Sequence, residues 1–415
     1  MLYDTPFRDR HQAWIDDETR RLEAQVNDTQ RPGAAMASRG AGFEIEYIPY
    51  GPADDDGEPT CALVSAFGPV EPEYASLRRD VGILDAPHRT IIEVRGADRL
   101  SFLDSMITQK VGDLAVGSVR SSFWLNRKGR IVSDLCVANL EDRTLLELDV
   151  HLARETLESL DNYLFAEDVT MEWTPERWTQ LRLNGPATIA ALQDLLDEGE
   201  PPESGGVHDG VLGGVPVTMI RSDDIGEPGI ILIMEQKDAG VTWDALVAWR
   251  GSNEQRMRPI GWSAFNAARI EAGTPLFNVD FGGDSIPQET GVVDDRVSFN
   301  KGCYLGQEIV ARIHSLGNPR QRIISLDLDT DLLPVAGSQV YERMEMPDGT
   351  SALGPQVGVI TSSTVAPMLG ARPVAFGMVR FNYSSEGTRL LLTAEGEEIE
   401  ATVRDRLGYL PGASS

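Results

Sequence analysis

From Pro72 onward the chain runs twice through one cycle of elements, and that cycle limits the folds open to it. Thr90 to Arg95 alternates at the two-residue period of a strand. Asp98 then caps a helix whose apolar residues are Leu100, Phe102, Leu103 and Met106. Ser118 to Leu125 and Ile131 to Leu140 predict strands joined by the turn Asn126-Arg127-Lys128-Gly129. Thr144 to Val150 predicts a third strand, and Arg154 to Leu164 a helix. The second passage predicts strands over Thr179 to Leu183, Val215 to Arg221 and Gly229 to Met234, with helices over Pro186 to Leu196 and Trp243 to Arg250. Hairpin-linked strands broken by single helices imply two α+β domains with largely antiparallel sheets.

The flanks differ from this core. After Pro319 the strand-like runs Arg322 to Leu328, Gln356 to Ser362, Val374 to Arg380 and Arg389 to Leu392 favour a small C-terminal β-barrel or sandwich. Tyr74 to Val81 and Trp262 to Ala272 predict helices, and the acidic, Gly- and Pro-rich Asp197 to Gly214 predicts a loop. Residues 1–70 read as an N-terminal extension. It would hold a polar helix over His11 to Val26, a loop over Arg31 to Gly42, a strand over Phe43 to Tyr50 and an acidic linker over Gly51 to Pro59. The expected divisions are 1–70, a first α+β domain over 71–175, a second over 176–255, a segment 256–319 returning to the first domain, and the barrel over 320–415.

Charge narrows the function classes. Against 37 Lys and Arg stand 65 Asp and Glu, a net charge of −28. That balance repels phosphate backbones and anionic lipid, which argues against general nucleic-acid binding and against membrane association. Only Lys110, Lys128, Lys237 and Lys301 are lysines, a bias that fits either a high-salt or a G+C-rich origin. The scattered Cys61, Cys136 and Cys303 suit neither a disulfide framework nor a metal site, and the five histidines show no ligand spacing. No signal-like or membrane-spanning apolar run is visible, so the expected location is cytoplasmic.

One stretch reverses the charge. From Arg296 to Arg322 the cations Arg296, Lys301, Arg312, Arg320 and Arg322 face the single acid Glu308, a local balance of +4. This marks a candidate anion site, unless the cations pair with acids elsewhere. Inside it lies Lys301-Gly302-Cys303-Tyr304-Leu305-Gly306-Gln307-Glu308. Its glycines allow sharp turns or close approach of a ligand. Cys303 beside Lys301 is either a thiol with a lowered pKa or a small buried hydrophobe. Tyr304 and Gln307 are either ligand contacts or ordinary core and surface residues.

These residues carry a resemblance. Lys301 to Glu308 matches in full the Lys-Gly-Cys-Tyr-x-Gly-Gln-Glu signature of the YgfZ family of folate-binding proteins. Ile270-Glu271-Ala272-Gly273-Thr274-Pro275, Ile286-Pro287-Gln288 and Val310-Ala311-Arg312 also resemble that family. Residues from about 72 to 415 are similar to the broader folate-dependent aminomethyltransferase superfamily of the glycine cleavage T-protein. The matching early motifs are Val81 to Asp85 and Gly129 to Leu135. The resemblance implies three domains around a central folate cavity, tetrahydrofolate or a derivative as cofactor, and support of iron–sulfur enzymes or assembly proteins, including tRNA-modifying enzymes. T-proteins usually carry two adjacent carboxylates where this chain has Ser133 and Asp134, and they lack the Cys-bearing signature. A folate-dependent aminomethyltransferase or demethylase and a non-catalytic scaffold are the alternatives.

A tetrahydrofolate site needs an acceptor for the pterin's donor edge, an apolar slot and cations for the glutamate tail. Under the resemblance Glu271 is the pterin candidate, and Arg312, Arg320 or Arg322 the tail candidates, with Tyr304 and Gln307 as further contacts. Asp134 would face the one-carbon carrier nitrogens and stabilise developing positive charge. Cys303, with Lys301 beside it, would serve as a redox or nucleophilic thiol. No metal ligand is expected.

Overall fold

A computed structural model describes residues 3–28 and 45–409. Two largely antiparallel sheets and a closed barrel carry the architecture, as the α+β reading expects. The five-stranded sheet runs in the order Ser118–Leu125, Ile131–Asn139, Thr144–Asp149, Arg89–Arg95, Thr170–Glu172, every pair antiparallel. The seven-stranded sheet runs Leu196–Glu198, Val207–Leu212, Val215–Arg221, Gly229–Glu235, Trp178–Asn184, Val81–Asp85, Met257–Ile260, and only its last pair is parallel. Six strands over Gln321–Leu328, Gln339–Glu345, Ser351–Ala366, Arg372–Arg380, Arg389–Ala394 and Glu397–Arg404 close the barrel. Among the described residues no helix is long and apolar enough to cross a membrane.

Several elements differ from the sequence expectation, each for a visible reason. The helix expected over Tyr74 to Val81 spans Val70–Arg79, and Val81 instead opens the strand Val81–Asp85. All five residues of that strand are buried, because it lies between two neighbours with both faces covered. It therefore shows no alternation to read. The loop expected over Asp197 to Gly214 contains the strand Val207–Leu212, which pairs with Val215–Arg221. Gly213 and Gly214, at φ 58° and 77°, make the two-residue turn that such a hairpin requires. The barrel strands Gln339–Glu345 and Glu397–Arg404 were hidden by their charge. In the latter, Ile399, Ala401 and Val403 point inward while glutamates face out.

The first 70 residues hold more than a polar helix and a linker. A helix spans Arg8–Asp28, and strands Glu46–Ala53 and Pro59–Ala66 form a hairpin across the acidic stretch. Phe7, Ile15, Val64 and Phe67 lie in one apolar cluster with Leu181, Leu232 and Trp243 of the seven-stranded sheet and its helix. This lead segment thus shares the second sheet's core. The expected loop over Arg31 to Gly42 and the start of the strand expected from Phe43 lie outside the described residues.

The span 256–319 is divided in use. Met257–Ile260 extends the seven-stranded sheet. The helix Trp262–Ala272 packs on Val70–Arg79 and on the barrel strand Ser351–Ala366. Residues beyond Val293 dock on the five-stranded unit, where Ser298 N donates to Thr108 O and Thr108 Oγ1 donates to Arg296 O.

Candidate functional site

The hairpin turn and the signature loop meet through two glycines. Asn126 Oδ1 accepts the amides of Lys128 and Arg130, at 2.8 and 3.2 Å, which fixes the turn between strands Ser118–Leu125 and Ile131–Asn139. Gly129 at φ +70° lies so close to Ile309 that a Cβ would stand 2.8 Å from that residue's Cβ. Gly306 at φ +81° lies so close to the turn that a Cβ would stand 2.7 Å from Asn126 O. Both positions need glycine for backbone angle and for space. The helix Gln307–Leu316 starts at this contact, and Gln288 Nε2 holds it by donating to Val310 O at 2.8 Å.

Lys301 is a framework cation. Its side chain is 1% exposed, and its ammonium donates to Asp104 O, to Ile107 O at 2.9 Å and to Gln109 O at 2.8 Å. These carbonyls lie at and beyond the end of the helix Arg99–Met106, where a positive charge is favoured. All three protons are spent on backbone carbonyls, so the ammonium is held by the framework in this arrangement. Burial lowers the Lys301 pKa, and Asp104 opposes that shift. Tyr304 is also buried, packing with Phe123, Leu125 and Ile131, and burial pushes its pKa up to about 12. Between these anchors Cys303 is exposed and free. Gln307 is half-buried at the first turn of its helix.

Strand period separates Ser133 from Asp134. Ser133 is buried and accepts from Thr156 Oγ1 at 3.1 Å, while Asp134 is directed to the other face. There Arg296 Nε reaches both Asp134 oxygens, at 2.9 and 3.2 Å, with the two side chains 17% and 15% exposed. Burial opposes the Arg296 charge, but Asp134 outweighs it and the guanidinium pKa ends raised. Arg296 belongs to the basic stretch, yet its partnership with Asp134 could not be read without the long-range contact.

Glu271 lies apart from this pair. It is fully buried on the helix Trp262–Ala272 and accepts from Tyr74 Oη, from Arg78 Nη2 at 2.8 Å and from Met368 N at 3.1 Å. Both carboxylate oxygens are engaged, Oε2 twice and Oε1 once, so Glu271 is held by the framework in this arrangement. Two residues earlier, Arg269 pairs with Asp280, both fully buried, and Thr361 Oγ1 donates to the same Asp280 at 2.9 Å. Tyr74 and Arg78, four residues apart on Val70–Arg79, had no signal in the sequence beyond their helical spacing.

The tail candidates are placed differently. Arg322 donates to Ser384 O at 3.0 Å and sits 5.7 Å from the Phe381 ring centre. Arg312 and Arg320 are exposed, and among the described residues their side chains make no hydrogen bond or ion pair. The same holds for Arg127, Lys128 and Arg130 on the hairpin. Burial raises the Glu289 pKa while Arg130 and Arg320 hold it down, which sets both cations near one carboxylate. Leu305 and Leu125 line a cleft of about 500 Å³ with Trp124, Tyr163 and Phe165, and Arg127 also lines it. The arrangement can bind an anion at unpaired guanidiniums, present a thiol, and hold one carboxylate in place against Arg296.

Comparison with known proteins completes the description. Residues 28–301 match the family model described as the GCVT N-terminal domain, and residues 321–409 match the glycine cleavage T-protein C-terminal barrel domain. The chain is 27% identical over 324 residues to an aminomethyltransferase of Exiguobacterium sibiricum, covering 78% of this chain and 84% of that protein. It is 26% identical over 345 residues to an aminomethyltransferase of Halalkalibacterium halodurans, covering 82% and 90%. The crystal structure of glycine cleavage system aminomethyltransferase T from Bartonella henselae superposes with a TM-score of 0.73 at 20% identity. It covers 98% of this chain and 97% of that one, and shows the shared fold.

Proposed function

Because the chain belongs to the glycine cleavage T-protein family, we propose that it binds tetrahydrofolate or a derivative and acts in the YgfZ manner, supporting iron–sulfur enzymes, tRNA-modifying ones among them. The observation that carries this reading is the signature loop. Lys301 and Tyr304 are buried on either side of Cys303, and the thiol between them is exposed and free. A loop built only for packing has no need to hold a cysteine outward.

The residues fit the cofactor in part. Arg312 and Arg320 would hold the glutamate tail, since guanidinium matches carboxylate geometry and neither makes a side-chain hydrogen bond or ion pair among the described residues. Asp134 is the acid left to face the reduced ring, with Arg296 fixing its orientation. Glu271 serves the framework. Bound tetrahydrofolate would supply the carrier nitrogens for one-carbon chemistry. The chain's own part is to bind, orient and present the thiol. Calorimetric titration of tetrahydrofolate tests this: binding to the wild type that weakens in Arg312→Ala supports it, and no binding would favour a scaffold without folate.

The names of the relatives favour a second reading, an aminomethyltransferase. Ser133 stands against it, because that position is buried against Thr156 and leaves Asp134 without an adjacent carboxylate. Transfer from an aminomethylated lipoyl carrier to tetrahydrofolate at enzymatic rates would establish the second reading and displace the first.

A further inference from the structure

A second cleft lies away from the signature loop. It has a volume of about 400 Å³ and opens between the helix Arg8–Asp28, the chain after Ala66 and the strand Met257–Ile260. That volume is within the range of small-molecule sites. Its apolar wall is made by Trp14, Phe67, Pro69 and Pro72. Phe67 meets Trp14 edge-on with ring centres 5.7 Å apart, which braces the indole. Trp14, Glu18 and Arg21 all precede residue 28, where the match to the family model begins.

The charges on the cleft are not equal in standing. Glu18 accepts from Arg258 at 2.7 Å, and the Arg258 guanidinium stands 5.2 Å from the centre of the Trp14 ring. Arg21 pairs with Asp17 at 2.9 Å. Glu73 is buried and accepts from Phe67 N on one oxygen and from Gly261 N on the other, both at 2.7 Å, so it is turned towards the framework. Burial pushes its pKa up to about 7, which lessens its negative charge at neutral pH. That leaves Arg256, exposed on the cleft and without a side-chain partner among the described residues. Arg256 also lines an adjoining open cleft with Arg79, Arg250 and the acids Asp80 and Glu254, none of which makes an ion pair with it among the described residues. Of the three guanidiniums lining this cleft, Arg21 and Arg258 are paired and Arg256 is not, among the described residues.

We infer that this cleft binds a small molecule with a flat apolar body and one anionic end, its ring against Trp14 and Phe67 and its anion on Arg256. Ring stacking and guanidinium recognition together select such a ligand over a neutral aromatic or a simple inorganic anion. The site is independent of the folate reading.

The test uses the full-length protein and the fluorescent aromatic sulfonate 1-anilinonaphthalene-8-sulfonate. The wild type is expected to bind it saturably at one site, and Arg256→Ala to weaken binding about tenfold or more. Arg256→Lys should restore part of the affinity, and Phe165→Ser, in the cleft by the signature loop, should leave it unchanged. Arg256 is exposed, so an unchanged melting curve is expected to show that its variants fold. Displacement by benzoate and by phenyl phosphate then tells a carboxylate site from a phosphate site. Absence of saturable binding, equal affinity in Arg256→Ala, or loss in Phe165→Ser would each overturn the inference.

Discussion

Two regions of this protein treat positive charge in opposite ways. At the junction of the helices Val70–Arg79 and Trp262–Ala272 with the barrel, Arg78 and Arg269 are enclosed and matched to Glu271 and Asp280. On the face formed by the hairpin and the signature helix, Arg127, Lys128, Arg130, Arg312 and Arg320 make no side-chain hydrogen bond or ion pair among the described residues, although Arg130 and Arg320 lie near Glu289. An acidic chain has carboxylates enough to pair every cation, so pairing follows placement in the fold. The junction uses charge to fix three bodies against one another, and the signature face keeps charge available for a ligand.

The largest effect that would sharpen this contrast lies at the junction. Arg269→Met leaves the Asp280 carboxylate buried without its cation and is expected to cost roughly 3–5 kcal/mol in urea unfolding. A loss below about 1 kcal/mol would place the junction's stability elsewhere. Glu147 tests the same principle by pH. Burial raises its pKa, but Arg89 and Arg182, which hydrogen-bond to it, bring it down to about 2. A carboxylate with a folded pKa below its unfolded value stabilises above about pH 4.5. That contribution is lost as pH falls from about 4.5 towards about 2. The wild type should lose about 2–4 kcal/mol across this window through Glu147, and Glu147→Gln should flatten the profile there.

On the signature face the expected effects move from stability to binding. Arg312→Ala and Arg320→Ala should each change unfolding free energy by no more than about 0.5 kcal/mol, since both are exposed. Each should weaken tetrahydrofolate binding about tenfold, the worth of one charge-assisted hydrogen bond. Unchanged affinity in both, or a large stability loss in either, would erase the difference between the two regions. The smallest structural effect is expected for Cys303→Ser, with no measurable change in melting temperature.

This contrast also explains what could be read from the sequence. The hairpin strands, the helix Trp262–Ala272 and four of the six barrel strands were legible because their apolar residues follow periods of two or 3.6. Val81–Asp85 was not, because a strand covered on both faces loses its alternation. The signature was legible as a string, and Gly129 and Gly306 explain part of it as a backbone contact. The roles inside it were not legible. Lys301 reads as a reactive cation until its three carbonyl partners are seen, from residues nearly 200 positions away. Glu271 reads as a binding carboxylate until Tyr74, Arg78 and Met368 N are found on it. Long-range pairing decides whether a charged residue is framework or site, and local patterns carry no record of it.

The central claim is that the signature loop is folded to present the Cys303 thiol for the support of iron–sulfur enzymes. Its most direct test is Cys303→Ser expressed at wild-type level in a strain lacking the protein, with activity of an iron–sulfur-dependent tRNA-modifying enzyme as the readout. Loss of rescue by the folded variant is the predicted result; full rescue would contradict the account.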